Sequence, residues 1–339
     1  MTRERIQRFW DWFAARAGKI RADPSRHAPE ISEMVGRLHD GFGWEMGGPK
    51  DGPFVFIVRC ESSELRHLAH QVVSAAPTLK DWRISSWRLP MDNLDFKIQV
   101  GHGKSYDLRK FSIDVIEDSG YPFLHLAVTS TEFPAIPGDS EQHAGLLCLD
   151  ALLGEKQVED GIDSIEFRTD PPGKVSSEFL CEQVIRRLES VRSRPRPEVT
   201  DRWTMVEAKS ESKVLLALVA TGLGSALIGS HPWRVDVRLK LKETKPNGLT
   251  TSKELKALKP LEDRLLKIVE SKKVGVHWLY QTYEGIRTLS FYVSDPSDLD
   301  EALAHEPGRG GYEGDIAITY DPRWREYRDL ADQEAHRQA

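Results

Sequence analysis

The sequence predicts an α+β protein built as two ferredoxin-like (split βαβ) sandwich units, each with an antiparallel sheet and helices on one face. Three observations predict it. At 339 residues the chain is longer than one ordinary core supports. Segments of period 2 alternate with segments of period 3.6 along its length. The order of those segments also runs twice, closing on nearly the same phrase: IEFRTDPP at Ile165 to Pro172 and IAITYDPRW at Ile316 to Trp324. Each phrase reads as a strand stopped by Asp-Pro, because proline removes a ladder donor and aspartate readily starts a turn. Duplication and a convergent pair both fit this parallel. The units are expected at residues 1–190 and 202–339, joined by a linker at 191–201 in which Pro195 and Pro197 forbid regular helix.

The amino-terminal run is expected as an amphipathic helix, with Ile6, Phe9, Trp10 and Phe13 at helical spacing. Each unit then opens with a hairpin led by a tryptophan, Trp44 or Trp203, followed by a strand entered through Trp82-Arg83 or Trp233-Arg234. Longer hairpins follow, turning at Ser119-Gly120 and Glu284-Gly285. Between them, one helix carries Leu65, Leu68, Val72 and Ala76 on a face, and another carries Leu146, Leu149 and Leu153. In the second unit a helix is expected with Pro260 in its first turn, Glu262 and Asp263 just behind it and lysines at its far end. Another helix follows each closing strand.

Net charge −6, with 39% hydrophobic and 29% charged residues, describes a globular protein whose main task is not gripping nucleic acid. Cys60, Cys148 and Cys181 show no CxxC spacing, which fits packed thiols in a reducing, cytoplasmic compartment. The most apolar stretch, Val214 to Gly229, falls short of the ~20 residues a membrane span needs, so no membrane partner is expected.

The second unit resembles a bacterial family known as domain of unknown function 695. The resemblance lies in Trp203, GLTTSKEL at Gly248, LEDRLLKIVE at Leu261, YEGIRTLSFYV at Tyr283 and YDPRWREY at Tyr320. The first unit resembles the region fused ahead of such domains, through FWDWF, WEMG, AAPTLKDW and LDALLGE. That family looks related to the ferredoxin-like regulator B, which binds and restrains the endoribonuclease RNase E. The resemblance implies a docking fold and supplies no catalytic residue.

Among residues that could carry function, Asp321, Arg323, Trp324 and Tyr327 form the densest polar-aromatic group, read either as a clamp on the closing strand or as interface anchors. Arg238, Lys240 and Lys242 begin a basic stripe suited to an acidic protein or an RNA backbone. Glu155, behind Gly154, sits where a helix is expected to end, and a carboxylate there needs a cationic partner. Gly222-x-Gly224 lacks the third small residue and the helix of a dinucleotide fingerprint. His67 and His70 lack further metal ligands, and GHGKS at Gly101 lacks the P-loop spacing, so neither a metal nor a small-molecule cofactor is expected. The leading reading is a non-catalytic binding or regulatory protein that docks another protein. A hydrolase or nuclease joining Glu45, Glu155 and Asp321 across a cleft is the first alternative. An RNA-binding sheet using Trp278 and Tyr280 is the second.

Overall fold

A computed structural model describes all residues except 49–51, 61, 92–96, 101–103, 119–120, 135–137, 170–176, 195–199, 211–212, 224–226, 298 and 339. The Ser119-Gly120 turn, residues 195–199 of the expected linker, the Asp170-Pro171 stop, residues 101–103 of GHGKS and Gly224 therefore lie outside the described residues. The chain divides into two units, Met1–Arg194 and Pro195–Ala339.

In the first unit, α1 (Arg3–Ala22) buries Ile6, Phe9, Trp10 and Phe13 along one face, as the spacing predicts. α2 (Pro24–Gly36) starts behind Asp23, whose carboxylate accepts from the Arg26 amide at 3.2 Å. These helices cover an antiparallel hairpin of β1 (Phe42–Gly47) and β2 (Phe54–Cys60). Phe13 meets Phe56 with ring centroids 4.7 Å apart. The Trp10 Nε1–H donates to the Val72 carbonyl of α3 (Arg66–Ser74) at 2.7 Å, so this buried ring leaves no polar atom unpaired. β3 (Trp82–Ser85) then runs parallel to β2.

After the pair β4 (Lys97–Val100) and β5 (Lys104–Asp107), a second core gathers round β6 (Phe111–Asp118) and β7 (Leu124–Ser130). It is closed by α4 (Asp139–Leu153), α5 (Glu155–Gly161), β8 (Ile162–Arg168) and α6 (Ser177–Arg192). Leu149 and Leu153 point into that core, whereas Leu146 is exposed, contrary to the expected stripe.

The second unit holds one sheet of six strands, ordered β14-β11-β13-β12-β10-β9, with every neighbouring pair antiparallel. β9 (Trp203–Ser210) and β10 (Lys213–Ala220) form the opening hairpin. β11 (Trp233–Lys240) leads through α7 (Ser252–Lys272) to β12 (Gly275–Tyr283) and β13 (Ile286–Val293). The short helices α8 (Leu299–Ala304) and α9 (Glu306–Arg309) precede β14 (Gly314–Tyr320), and α10 (Arg325–Gln338) follows it. The β12–β13 turn uses Glu284 at φ 47° and Gly285 at φ 77°, the two left-handed residues that a tight hairpin requires.

Several expectations need correction. The first unit is not purely antiparallel: β2–β3 and β7–β8 are parallel, because a helical crossover lays each later strand beside its predecessor. The two closing strands therefore occupy unlike places, β8 parallel to β7 but β14 antiparallel to β11, so the twofold plan does not extend to strand pairing. Helices do not keep to one face in the second unit. α7 packs on the Arg287 side of the sheet, while α10 sets Tyr327 against Trp278 and against Trp324, which stacks on Tyr292, five residues beyond Arg287 and hence on the opposite side. α7 also starts earlier than expected: Thr251 Oγ1 accepts from the Glu254 amide at 3.1 Å, and Pro260 falls inside the helix. Finally, α6 runs through Arg192, so the helix continues into the segment expected as linker.

Candidate functional site

The Asp321 group builds a corner. Asp321 Oδ2 accepts from the Tyr292 hydroxyl at 2.7 Å and Oδ1 accepts from the Arg325 amide at 3.1 Å. Trp324 adopts φ 52°, stacks on Tyr292 with centroids 4.0 Å and planes 7° apart, and donates Nε1–H to the His231 carbonyl at 2.7 Å. Burial and the Asp321 carboxylate push the Tyr292 phenol well above its usual range, so it stays a donor. Trp324 is 0% exposed and Tyr327 2%, which leaves neither ring surface for a partner. Arg323 is half-buried and has an interaction of its own. The arrangement clamps the closing strand.

Two of the three residues that begin the basic stripe are paired with acids, and the third lies over an aromatic ring. Arg238 lies 3.7 Å from Asp315 and Lys240 2.8 Å from Glu313, while the Lys242 ammonium sits 4.2 Å from the Tyr312 ring centroid. Trp278 and Tyr280 do not form a stacking platform. A bulge between His277 and Leu279 turns Trp278 to Tyr292 and Tyr327, while Tyr280 joins Trp203 and His277 on the α7 side.

Glu155 opens α5 rather than closing α4, so its charge suits the helix dipole. It accepts from Arg66 Nη2 at 3.1 Å and from the Arg88 amide at 2.8 Å. The Arg88 guanidinium reaches Glu45 at 2.7 Å and Asp150 at 3.1 Å, so two of the three acids expected to converge, Glu45 and Glu155, do meet around one arginine. Burial, then the Glu155 charge, push Asp150 up to about 6. Arg66 also lies over the Trp87 ring at 4.1 Å. These charges join β1 and α3 to α4 and α5, and guanidinium groups already occupy the carboxylates that a hydrolase would need free. Asp321 belongs to the other unit. Among the described residues no group of three or more His, Cys, Asp or Glu is arranged to hold a metal. A Cβ on Gly222 would sit 2.0 Å from the Thr200 carbonyl oxygen, so this glycine serves a close backbone approach rather than a phosphate loop.

Sequence reasoning missed a groove of about 540 Å³ in the second unit, bounded by Leu266, Val269 and Glu270 of α7 and by Trp203, Leu218, His277 and Tyr280 of the sheet. It exists because β9 and β10 extend the sheet beyond the edge of α7. Met205 and Leu218 are register partners on this face and remain 68% and 38% exposed. The His277 ring lies 5.2 Å from Trp203 and 4.2 Å from Tyr280. Burial lowers the imidazole to about 4, so it is neutral at pH 7 and Nε2–H donates to the Leu279 carbonyl at 3.0 Å. The available signal was Met205, an apolar residue on the same face as Trp203 in a strand at the sheet edge.

A family model described as "Family of unknown function (DUF695)" matches residues 201–331. The match lies within the second unit. No curated protein and no solved structure matches the chain.

Proposed function

We propose that this chain is a non-catalytic docking protein whose second unit receives an amphipathic helix of a protein partner in the groove beside α7. We further read that unit as a ferredoxin-like split βαβ sandwich with an added hairpin. The order β14-β11-β13-β12, in which β13 separates the parallel strands β11 and β12, supports this. A regulatory role in a bacterial cytoplasm, and kinship with the regulator of RNase E, belong to the same reading and rest on the matched family and the motif resemblance.

One observation carries the proposal. Both units open with a tryptophan-led hairpin, and the chain roofs the first with its own amphipathic helices: Phe9 and Phe13 of α1 pack on Phe56, and Trp44 Nε1–H donates to Ser32 Oγ of α2 at 3.0 Å. On the corresponding face of the second hairpin Met205 and Leu218 stay exposed, and no helix among the described residues covers them. A bare apolar strip beside a helix is the surface that helix-in-groove recognition uses.

Capture from the source cell at physiological salt, with wild type and with Leu218→Asp or Met205→Asp, tests it. The account expects a defined protein retained by wild type and lost with either variant. Equal retention by all three would overturn it.

A further inference from the structure

Resting on that docking reading, we infer that the helix received by the groove is acidic, with aspartate or glutamate beside the apolar stripe it lays on Met205 and Leu218. The charges around the groove carry this. Lys259 lies 2.8 Å from Asp263, Arg287 2.8 Å from Glu262 and Lys209 3.0 Å from Glu207, so these cations are balanced. Lys267, Lys272 and Lys273, in the last two turns of α7 and at its cap, are exposed and have no ion pair among the described residues. Lys267 and Lys273 stand three residues before and after Glu270, which lines the groove, and so lie about one helical turn to either side of it. Against the three lysines stand only the exposed Glu270 carboxylate and the partial negative charge, about one half, of the helix C-terminus. The rim is therefore cationic on a chain whose net charge is −6.

The aromatic end carries the same sign. Burial lowers the His277 imidazole, and the Arg287 and Lys259 charges lower it further. A basic helix would bring like charges to this rim. Carboxylates beside an apolar stripe would instead meet ammonium groups that reach out on flexible stems. The floor decides between an acidic helix and an RNA backbone. Met205 and Leu218 are 68% and 38% exposed, and Leu223 and Leu266 line the groove, an aliphatic surface that matches leucine-type anchors and offers nothing to phosphates. Trp203, His277 and Tyr280 pack against one another, with ring centroids 4.2 to 5.9 Å apart, instead of standing as separate platforms for bases.

The full chain is titrated with two labelled helical peptides that share one leucine stripe and carry either glutamate or lysine beside it, with binding read by fluorescence anisotropy. The glutamate peptide should bind about tenfold more tightly at low salt, and the gap should narrow as salt is added. Lys267→Gln combined with Lys273→Gln should remove most of the preference. Lys19→Gln combined with Lys97→Gln, which takes two exposed charges from the first unit, should leave it intact. Equal binding of both peptides, binding of neither, or a preference that survives the rim substitutions would overturn the inference. An oligouridylate that binds more tightly than the glutamate peptide and displaces it would assign the rim to RNA and overturn it as well. Partner capture separates the two claims: loss with Leu218→Asp but full retention with Lys267→Gln and Lys273→Gln together leaves the docking reading standing and removes the acidic helix.

Discussion

The two tryptophan-led hairpins show how one local pattern acquires different uses. β1–β2 lies under α1 and α2 and forms the floor of a closed core in which Phe56 and Val58 are fully buried. β9–β10 is paired just as fully between its strands, yet Met205 and Leu218 stay open on the part of the α7 side that the helix does not cover. Antiparallel backbone pairing joins the two strands in both cases. What differs is the second layer. The units differ in the same way overall. Charges stitch the first unit together around Arg88, while a stacked aromatic corner holds the second.

That contrast is open to measurement, beginning with the aromatic corner. Trp324→Ala should cost the second unit about 3–5 kcal/mol, since it removes a fully buried ring and its hydrogen bond. A loss below about 1 kcal/mol in urea unfolding would mean that the corner is not what holds this unit.

His277 provides a titratable probe of the groove floor. Its folded pKa of about 4 lies below the unfolded value, so it contributes stability above about pH 6.5 that is lost as the pH falls toward 4. The loss should be at most about 3 kcal/mol and absent in His277→Gln, read as the difference between the two proteins' pH–stability curves.

For the first unit, Arg88→Ala strands Glu45 and Asp150 and should cost about 2–3 kcal/mol, discounted from a fully buried pair because the arginine is partly exposed. Asp150→Asn should act in the other direction. With a folded pKa raised to about 6, ionised Asp150 opposes folding at neutral pH, and its favourable contribution is present only below about pH 4. The variant should be about 1–2 kcal/mol more stable than wild type at pH 7.5, with the gap closing as the pH falls from 6 to 4. A variant less stable at every pH would show that the Arg88 contact outweighs the burial of the charge.

Element identity was legible because it is written locally: the α1 stripe, the Glu284-Gly285 turn and the Trp233-Arg234 strand all stand where period and turn chemistry place them. Boundaries depended on competing signals. Pro260 with Glu262 and Asp263 imitates a helix start, while Thr251-x-x-Glu254, also visible in the sequence, is the real one. Parallel pairing in the first unit and the bulge that separates Trp278 from Tyr280 arise from long-range register, which no single strand encodes. The groove is hidden for the same reason. VLLALVA reads as core from its composition, and only the six-strand order reveals that Leu218 lies outside the helix layer.

The most direct measurement places a photoreactive benzoylphenylalanine at position 205 in the source cell, with position 182 on the exposed face of α6 as the control. The account predicts one dominant crosslinked protein at 205, absent at 182 and abolished by Leu218→Asp. An identical diffuse background at both positions would contradict it.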